Sequence, residues 1–391
     1  MIPAVMPTYA RWDVAVDRGE GCYLYATDGR KFLDFTSGIA VTSLGHCHPH
    51  LIAAVTAQAQ KLWHVSNLFQ IPAQQRLAER LVAHSFADTV FFNNSGAEAV
   101  ELSIKVARKY QSATGHPERY RVIGCHGSFH GRSFATLAAA GAEAYLKGFG
   151  PVMDGFDHVA FNNLNEMRAA VTDETAAILV EPVQGEGGVR APSADYLKGL
   201  RAICDEYGLV LVYDEVQCGM GRTGKLFAHE WAGVAPDVMA VAKALGNGFP
   251  IGACLASEKA AVGMVAGTHG STFGGNPMAA AAGNAVMDVM LEPGFFDRVQ
   301  RVSALLRGKL EALVAAFPTV FAELRGSGLL LGLRCNVPAG DIVARLRAQG
   351  LLCLTAGENV LRILPPLVVS EGEIEEGMRI LRSVAQEWPQ T

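Results

Sequence analysis

Two side chains suited to covalent and acid–base chemistry come directly after apolar stretches of the chain. Lys243 follows residues 238–242, and Asp214 follows residues 209–213, the most apolar run of the sequence. A lysine after a strand is ordinarily solvated, and a carboxylate there ordinarily serves the surface or the structure. However, apolar and small neighbours would lower the pKa of Lys243 and make its amine nucleophilic, and a buried Asp214 is costly without a partner or a function. An amine that attacks a carbonyl group and a carboxylate that keeps a pyridinium nitrogen protonated are the pair that pyridoxal phosphate requires.

A phosphate group needs a further feature, which residues 93–98 offer. This segment follows the apolar residues 89–92 and precedes a stretch with helical periodicity. Ser95 and Glu98 have the spacing of a capping box, so a simple helix cap is the ordinary explanation. Alternatively, the free N–H groups at the start of this helix would bind a phosphate, and Gly96 would allow its close approach.

Three more side chains could complete such a site. Phe129 lies shortly after the apolar segment 121–124, and its ring could stack on a flat cofactor. Arg132 could hold a substrate carboxylate through two hydrogen bonds, although an arginine on a loop is usually just solvated. Gln217, which closely follows Asp214, could donate a hydrogen bond to the phenolic oxygen of the ring.

Two other motifs suggest functions that their context argues against. Residues 219–224 fit the G-x-G-x-x-G pattern of dinucleotide-binding folds, but they lie too far beyond the preceding strand, and Gly233 would cut the next helix short. Residues 46–50 (HCHPH) look like a metal cluster, but consecutive side chains cannot all face one ion, and Pro49 suits the first turn of a helix. We therefore predict neither a dinucleotide site nor a metal site.

The composition is typical of a globular protein. Apolar residues make up 50% and charged residues 18% of the 391, so burial is ample. The net charge of −5 argues against a nucleic-acid partner, which requires a basic face. The eight cysteines form no C-x-x-C pair and are expected to be reduced thiols. We find no secretory signal and no apolar run of membrane-span length, so we expect a soluble cytoplasmic protein without a membrane partner.

Unalternating apolar runs predict the strands that position these side chains. Such runs are typical of strands covered on both faces, and the helical segments between them favour an α/β domain with a mostly parallel sheet. In such a sheet, ligands lie beyond the carboxyl ends of the strands, where Lys243 and Asp214 are found. The predicted strands are residues 89–92, 121–124, 158–161, 176–180, 209–213, 238–242 and 252–256.

The pattern changes at both ends of the chain. Near the N-terminus, residues 22–26 and 31–35 flank an Asp-Gly turn and predict a hairpin that could pack on the C-terminal part. We divide the chain into an N-terminal arm (1–44), a large domain (45–290) and a small α+β domain (291–391). The elements predicted in the small domain are helices over 296–317, 339–348 and 371–388 and strands over 328–334 and 361–364.

Motifs along nearly the whole chain resemble those of the class III (ω-amino acid) aminotransferases of fold-type I. The resemblance implies a pyridoxal-phosphate enzyme that transfers amino groups. It also implies a large domain with a mostly parallel mixed sheet between helices and a small α+β C-terminal domain. The motifs are GIAVTSLGHCHP (38–49), NNSGAEA (93–99), FHGR (129–132), LVEPVQGEGGV (179–189), VYDEVQCGMGRTG (212–224), AKALGNGFPIGA (242–253), HGSTFGGNP (269–277) and LRILPPL (361–367).

The resemblance implies a role for each residue of the cofactor site. Lys243 would form the Schiff base with the cofactor and then move the proton between the substrate and cofactor carbons. Asp214 would pair with the pyridinium nitrogen, and Gln217 would reach the ring oxygen. Phe129 and Val216 would lie on the two faces of the ring. The residues implied to hold the phosphate are Ser95, Gly96, Ala97 and, from the second subunit of a homodimer with shared active sites, Thr272.

Two carboxylate sites are implied for the substrates. Arg132, helped by Tyr9, would hold the α-carboxylate of a donor whose reacting amine lies at the far end. Arg362 would hold 2-oxoglutarate. Glu186 would mask Arg362 while the donor is bound, because an unpaired arginine beside an apolar acyl chain would be costly. Ser271 is assigned to the same substrate site.

The implied reaction moves the terminal amino group of N-acetylornithine to 2-oxoglutarate in arginine biosynthesis. Succinylornithine, free ornithine or N-succinyl-diaminopimelate would use the same residues, whereas a γ-aminobutyrate or broad ω-amine enzyme would not need Tyr9. Cys218 and Asn247 depart from the commonest family pattern near the site, so the acyl group stays open. The alternatives from other classes are a glutamate-semialdehyde-type aminomutase and a non-catalytic protein that has kept the fold.

Overall fold

The N-terminal strands form an antiparallel meander in the computed structural model, which describes residues 2–388. The hairpin expected at Asp28-Gly29 is present, with Gly29 at the positive φ of 88° that the turn requires. The three strands are β1 (Val16–Glu20), β2 (Tyr23–Ala26) and β3 (Lys31–Asp34).

The central element is a seven-stranded mixed sheet. Only one of its strands, β10, runs antiparallel to its neighbours, and the sheet order is β4-β10-β9-β8-β7-β5-β6. Its middle strands are buried along their whole length, as the unalternating apolar runs predict. The strands are β4 (Thr89–Asn93), β5 (Arg121–Cys125), β6 (Phe156–Val159), β7 (Thr175–Val180), β8 (Val210–Asp214), β9 (Val238–Val241) and β10 (Gly252–Ala256).

Helices cover this sheet, and their first residues explain several of their boundaries. Proline at the first helical position begins α2, α3 and α9, where a missing N–H costs nothing. The helices are α1 (Ser37–Ala40), α2 (Pro49–Ala59), α3 (Pro72–Ala83), α4 (Gly96–Ala113), α5 (Phe134–Ala140), α6 (Glu143–Leu146), α7 (Leu164–Ala169), α8 (Tyr196–Tyr207) and α9 (Pro277–Met290).

The C-terminal part contains a smaller antiparallel sheet in the order β11-β12-β15-β14. A capping box of Ser370 and Glu373 begins the last helix. The strands are β11 (Phe321–Ser327), β12 (Leu330–Cys335), β13 (Leu351–Leu352), β14 (Leu354–Ala356) and β15 (Val360–Ile363), and the helices are α10 (Phe295–Ala316), α11 (Ala339–Ala348) and α12 (Glu371–Gln386).

The predicted fold class is confirmed, and the strand predictions differ from the structure mainly at their ends. The strand expected at 158–161 is β6, two residues earlier in the chain. The strands β1, β11, β13 and β14 were not predicted. The N-terminal arm is fixed to the C-terminal part because β3 pairs in parallel with β13, with Leu33 opposite Leu351. The domain boundaries at 44 and 290 stay a prediction.

None of the helices within residues 2–388 combines the length and the apolar character that a membrane crossing needs.

Candidate active site

A cavity of 370 Å³ lies beyond the carboxyl ends of the central strands. It is bounded by the ends of β8 and β9 and by the first residues of α4, so elements distant in sequence meet there. Among its lining residues are Asn94, Ser95, Gly96, Ala97, Phe129, His130, Arg132, Glu181, Asp214, Val216, Gln217 and Lys243. The structure therefore brings together the cofactor-site residues expected from the sequence, except Thr272, which this chain's own cavity does not include.

Lys243 follows β9 directly and opens a short 3-10 turn, Lys243–Leu245. Its φ of +45° is unusual for a residue with a side chain and is typical of strained functional positions. Burial lowers the pKa of its amine from 10.5 to about 8, and the nearby Arg362 acts in the same direction, although Glu186 and Asp214 oppose both. The amine is thus more available as a nucleophile than that of an exposed lysine.

Asp214 ends β8 and is only 2% exposed. One carboxylate oxygen accepts a hydrogen bond from the Val216 N–H at 3.0 Å, and the other lies 2.7 Å from Nδ1 of His130. The His130 ring is buried as well, and its Nε2 has no partner within the described residues. With a proton on Nδ1, His130 donates this hydrogen bond and fixes the orientation of the Asp214 carboxylate.

A second buried carboxylate, Glu181, lines the same cavity. It accepts hydrogen bonds from the N–H groups of Phe129 at 3.2 Å and Gly185 at 3.3 Å. Burial, and then the charge of Asp214, raise the pKa of Glu181 well above its ordinary value. Glu181 and His130 were both missed from the sequence, although each had an available signal. Glu181 directly follows the predicted strand 176–180, and His130 directly follows Phe129.

The N-terminus of α4 has the geometry expected of a phosphate site. Ser95 caps the helix by accepting a hydrogen bond from the Glu98 N–H at 3.2 Å. The Glu98 carboxylate accepts from the Asn94 N–H at 2.6 Å, so the reciprocal bond of a capping box goes one residue earlier. A side chain at Gly96 would approach Val216 to 2.7 Å, so only glycine leaves this surface open. The first residues of this helix, Gly96 and Ala97, thus line the cavity, as a phosphate site at a helix N-terminus requires.

Thr272 and Ser271 lie on a surface loop beside this site. Thr272 is exposed, whereas Ser271 is half-buried and accepts a hydrogen bond from the Gly274 N–H at 2.9 Å. The Ser271 hydroxyl also lies 3.4 Å from the amide nitrogen of Asn94. Their assignments to the phosphate and the substrate stay predictions.

A larger cavity of 690 Å³ opens onto the first one and shares Phe129, Arg132 and Lys243 with it. The remaining lining residues include Tyr9, Ile39, Phe134, Leu137, Tyr145, Phe149 and Glu186. Tyr9 is 75% exposed, so the N-terminal arm covers this opening loosely. The apolar wall and the single arginine suit a substrate that has a carboxylate and an apolar portion.

Arg362 lies on β15 and is only 2% exposed. Its guanidinium binds both carboxylate oxygens of Glu186, with Nη2 and Oε2 3.1 Å apart, and donates to Oε1 of Gln217 at 2.9 Å. Gln217 in turn donates to Glu186 at 3.2 Å. Although burial acts to raise it, Arg362 lowers the pKa of Glu186 below its ordinary value. The Glu186 carboxylate thus lies on the Arg362 guanidinium. That it masks Arg362 while a donor is bound stays a prediction.

The two motifs for which we predicted no binding site have structural explanations. Residues 219–224 form consecutive turns, and the next element is the short 3-10 helix Ala228–Trp231. His46 binds Asp34 and His50 binds Asp288, both at 2.9 Å, and Pro49 begins α2 as predicted. Within residues 2–388 no group of three or more potential metal ligands comes together.

Asn247 has a structural explanation for its departure from the common pattern. Its side-chain amide accepts a hydrogen bond from the Leu44 N–H at 2.7 Å and donates to the Gly45 carbonyl at 3.1 Å. These bonds fix the loop that begins at α1 to the turn that carries Lys243.

Comparisons with known proteins agree with this geometry. Residues 5–385 match the family described as Aminotransferase class-III, and the chain belongs to that family. It is 58% identical to an acetylornithine aminotransferase of Mesorhizobium japonicum over 98% of this chain and 96% of the relative, and 56% identical to that of Rhodobacter capsulatus over 98% of each.

Solved structures show the same fold. The N-acetylornithine aminotransferase of Stenotrophomonas maltophilia matches with a TM-score of 0.85 at 40% identity, covering 97% of both chains. The ornithine aminotransferase of Toxoplasma gondii, which was solved with partial occupancy of pyridoxal phosphate, matches with a TM-score of 0.93 at 31% identity, covering 98% of this chain and 92% of the other.

The chain is thus a pyridoxal-phosphate-dependent aminotransferase, and its cavity fits that cofactor. Lys243 would supply an amine for the aldehyde, and Asp214 would supply a carboxylate partner for the ring nitrogen. The open N-terminus of α4 suits the phosphate, because helix N–H groups without intrahelical partners attract anions. The cofactor predicted from the sequence is confirmed.

The lowered pKa of Lys243 predicts the pH dependence of cofactor uptake. Because only the neutral amine attacks the aldehyde, the rate at which apoenzyme takes up pyridoxal phosphate should rise with pH and level off above about 8. An amine with the ordinary pKa of 10.5 would give a rate that continues to rise. Stopped-flow absorbance of the cofactor over a pH series measures this rate, and a flat profile would show that the amine is not limiting.

Proposed function

We propose that this enzyme transfers the terminal amino group of N-acetylornithine to 2-oxoglutarate, in the cytoplasm and as a step of arginine biosynthesis. The observation that carries the proposal is the different state of the two arginines near Lys243. Arg132 faces the larger cavity without an ion-pair partner among residues 2–388, whereas Arg362 is covered by Glu186. One site is open to a donor carboxylate while the other is closed, as two substrates of different length require. The names of the relatives support the choice of donor.

The residues of this chain divide the work of such a reaction among them. When bound, pyridoxal phosphate supplies an aldehyde for the amine and a ring that accepts electrons. Lys243 would hold the aldehyde through its amine, and the same amine would move a proton at the reacting carbon. Asp214 would pair with the ring nitrogen, and His130 orients the Asp214 carboxylate through the contact at 2.7 Å. Arg132 would orient the donor. The donor's terminal amine, and not the donor's α-carbon, would then lie near Lys243.

The Glu186–Arg362 pair explains how one pocket would accept both substrates. With N-acetylornithine bound, the paired charges present little net charge to an aliphatic chain. With 2-oxoglutarate bound, its carboxylate replaces that of Glu186 on the Arg362 guanidinium, and Glu186 moves aside. The backbone of Glu186 is held by the Gly357 N–H at 2.8 Å, so the side chain can rotate while the main chain stays in place.

The homodimer with shared active sites is also part of the proposal. Thr272 lies outside the cavity of its own chain, next to Phe273, which packs against His64 with ring centroids 4.9 Å apart. Several large apolar residues close to His64 in the sequence are exposed. A cluster of exposed apolar side chains is typical of a surface that another protein covers. These exposed residues are Leu62, Trp63, Leu68 and Phe69. A second copy on this surface would bring its Thr272 to the phosphate site, and sedimentation analysis tests for the dimer.

Cytoplasmic localisation has support in the thiols. All eight cysteines are free, and seven of them are buried. Free thiols are typical of proteins in reducing compartments.

A donor comparison tests the proposed substrate. With 2-oxoglutarate as acceptor, kcat/KM should be highest for N-acetylornithine among N-acetylornithine, N-succinylornithine, ornithine, γ-aminobutyrate and putrescine. Among the residues that line the larger cavity within 2–388, the cations are Arg132 and Lys243, so a succinyl carboxylate would find no second arginine in that lining. A higher value for γ-aminobutyrate than for the ornithine derivatives would contradict the proposal.

Removing Arg132 should affect the donor and not the acceptor. We expect Arg132→Ala to lower kcat/KM for N-acetylornithine by about 150-fold, which corresponds to roughly 3 kcal/mol for a lost charge-assisted contact. The KM for 2-oxoglutarate should stay near the wild-type value because Arg362 binds that substrate. Steady-state kinetics with each substrate varied in turn measure both effects, and equal losses for the two substrates would show that Arg132 is not specific to the donor.

A further inference from the structure

The guanidinium of Arg132 is supported by aromatic rings. Its central carbon lies 3.9 Å from the ring centroid of Tyr145 and 5.5 Å from that of Phe129. The two rings are nearly perpendicular, at 88°, with centroids 6.1 Å apart. Arg132 thus lies on the face of the Tyr145 ring, which belongs to α6. The Phe129 ring lies beside both of them.

This support differs in kind from that of the other arginine of the site. Arg362 is held by a carboxylate, Glu186, which a substrate carboxylate must displace. An aromatic face attracts a guanidinium through its quadrupole and fixes its plane, but it carries no negative charge that would compete with an incoming anion. Tyr145 therefore leaves the hydrogen-bonding edge of Arg132 free for a carboxylate.

We propose that Tyr145 is a positioning residue that determines specificity for donors with an α-carboxylate, because its ring holds Arg132 in the plane that such a carboxylate binds. This inference rests on the proposed function, since it requires that Arg132 receive the carboxylate of the donor. Phe129 lines both the larger cavity, which contains Arg132 and Tyr145, and the cofactor cavity. A shift of the Tyr145 ring would therefore misplace the donor carboxylate without touching the reacting atoms.

The test compares two donors that differ only in the carboxylate. N-acetylornithine has it and N-acetylputrescine lacks it, while both present the same terminal amine. In the holoenzyme, Tyr145→Leu should raise KM for N-acetylornithine about tenfold, as expected for a lost cation–aromatic contact. KM for N-acetylputrescine and for 2-oxoglutarate should not change. Tyr145→Phe keeps the ring and should behave as wild type.

A binding measurement makes the test independent of turnover. N-acetylnorvaline has the carboxylate and acyl group of the donor but no terminal amine, so it binds without reacting. Calorimetry should show Tyr145→Leu weakening its binding by the same factor of about ten. Tyr207→Leu is the matched control, because Tyr207 lies beside Arg168 on the surface of α8, with 5.7 Å between the Arg168 guanidinium carbon and the ring centroid.

The possible outcomes separate the inference from the proposed function. If Tyr145→Leu keeps the full preference for N-acetylornithine, or affects both donors equally, the inference is overturned while the proposed function stands. A loss in Tyr145→Phe as large as that in Tyr145→Leu would also overturn it, since the hydroxyl and not the ring would then matter. If the wild-type enzyme uses both donors equally well, the role of Arg132 and the inference fall together.

Discussion

Lys243→Ala should lose turnover almost completely while the protein still binds pyridoxal phosphate. We expect kcat to fall by about ten-thousand-fold or more, because the substitution removes both the amine that holds the cofactor aldehyde and the group that moves the proton. The cofactor should remain bound non-covalently, since the N-terminus of α4, Asp214 and the ring-stacking residues are untouched. Steady-state kinetics measure the loss, and absorbance after gel filtration measures the retained cofactor.

Two further observations make this result specific. Borohydride treatment of the wild-type holoenzyme should attach the cofactor to the peptide that contains Lys243, and the variant should show no such product. Lys259→Ala, which changes an exposed lysine after β10, is the matched control and should retain full activity. Turnover by Lys243→Ala within tenfold of wild type would mean that another group performs the proton transfer.

Asp214→Asn should give the second largest loss. The amide has the same shape but no charge, so the ring nitrogen loses the partner that keeps it protonated. Removing a preorganised charge of this kind lowers kcat by about a thousandfold, and the affinity for pyridoxal phosphate should fall as well. Rapid-mixing absorbance with the donor alone shows whether the slow step is the proton transfer.

The control for this substitution is Asp205→Asn. Asp205 lies on the surface of α8, pairs with Arg201 at 2.8 Å and does not line the cofactor cavity. It should leave kcat unchanged. If Asp214→Asn were as active as Asp205→Asn, the buried carboxylate would be structural. His130→Asn should lie between the two, because it removes the hydrogen bond at 2.7 Å but leaves the charge of Asp214 in place.

The parts of the site predicted from the sequence are those that depend on position along a strand. Lys243 and Asp214 both follow apolar runs, and parallel strands bring their carboxyl ends to one edge of the sheet. Ser95 caps α4 because of its own side chain and the glycine that follows it. Local patterns of this kind also predict α11 with its observed bounds, since its apolar positions repeat with helical spacing.

Pairings between distant residues could not be predicted in the same way. His130 and Asp214 are 84 residues apart, and no local pattern indicates that their side chains meet. Likewise, the ring of Tyr145 comes to support Arg132 only because α6 folds back over the loop before α5. The resemblance implied roles for single residues, and the structure adds the contacts that orient them.

The strands that were missed have a physical reason in common. They are short, polar or at the edges of sheets. Because they are not buried along a continuous length, their sequences contain no long apolar run. Strand β1 has the sequence VDRGE and is largely exposed, and β14 has three residues. Backbone hydrogen bonds to a neighbour define both, and such bonds leave little trace in the sequence.

A single-turnover experiment tests most directly whether this chain moves the terminal amino group of N-acetylornithine. Adding N-acetylornithine alone to the holoenzyme should bleach the absorbance of the aldehyde form of the cofactor once, with one equivalent of aldehyde product per active site. Adding 2-oxoglutarate should then restore the absorbance and release one equivalent of glutamate. Continuous turnover without a keto acid, or bleaching by γ-aminobutyrate but not by N-acetylornithine, would contradict the account.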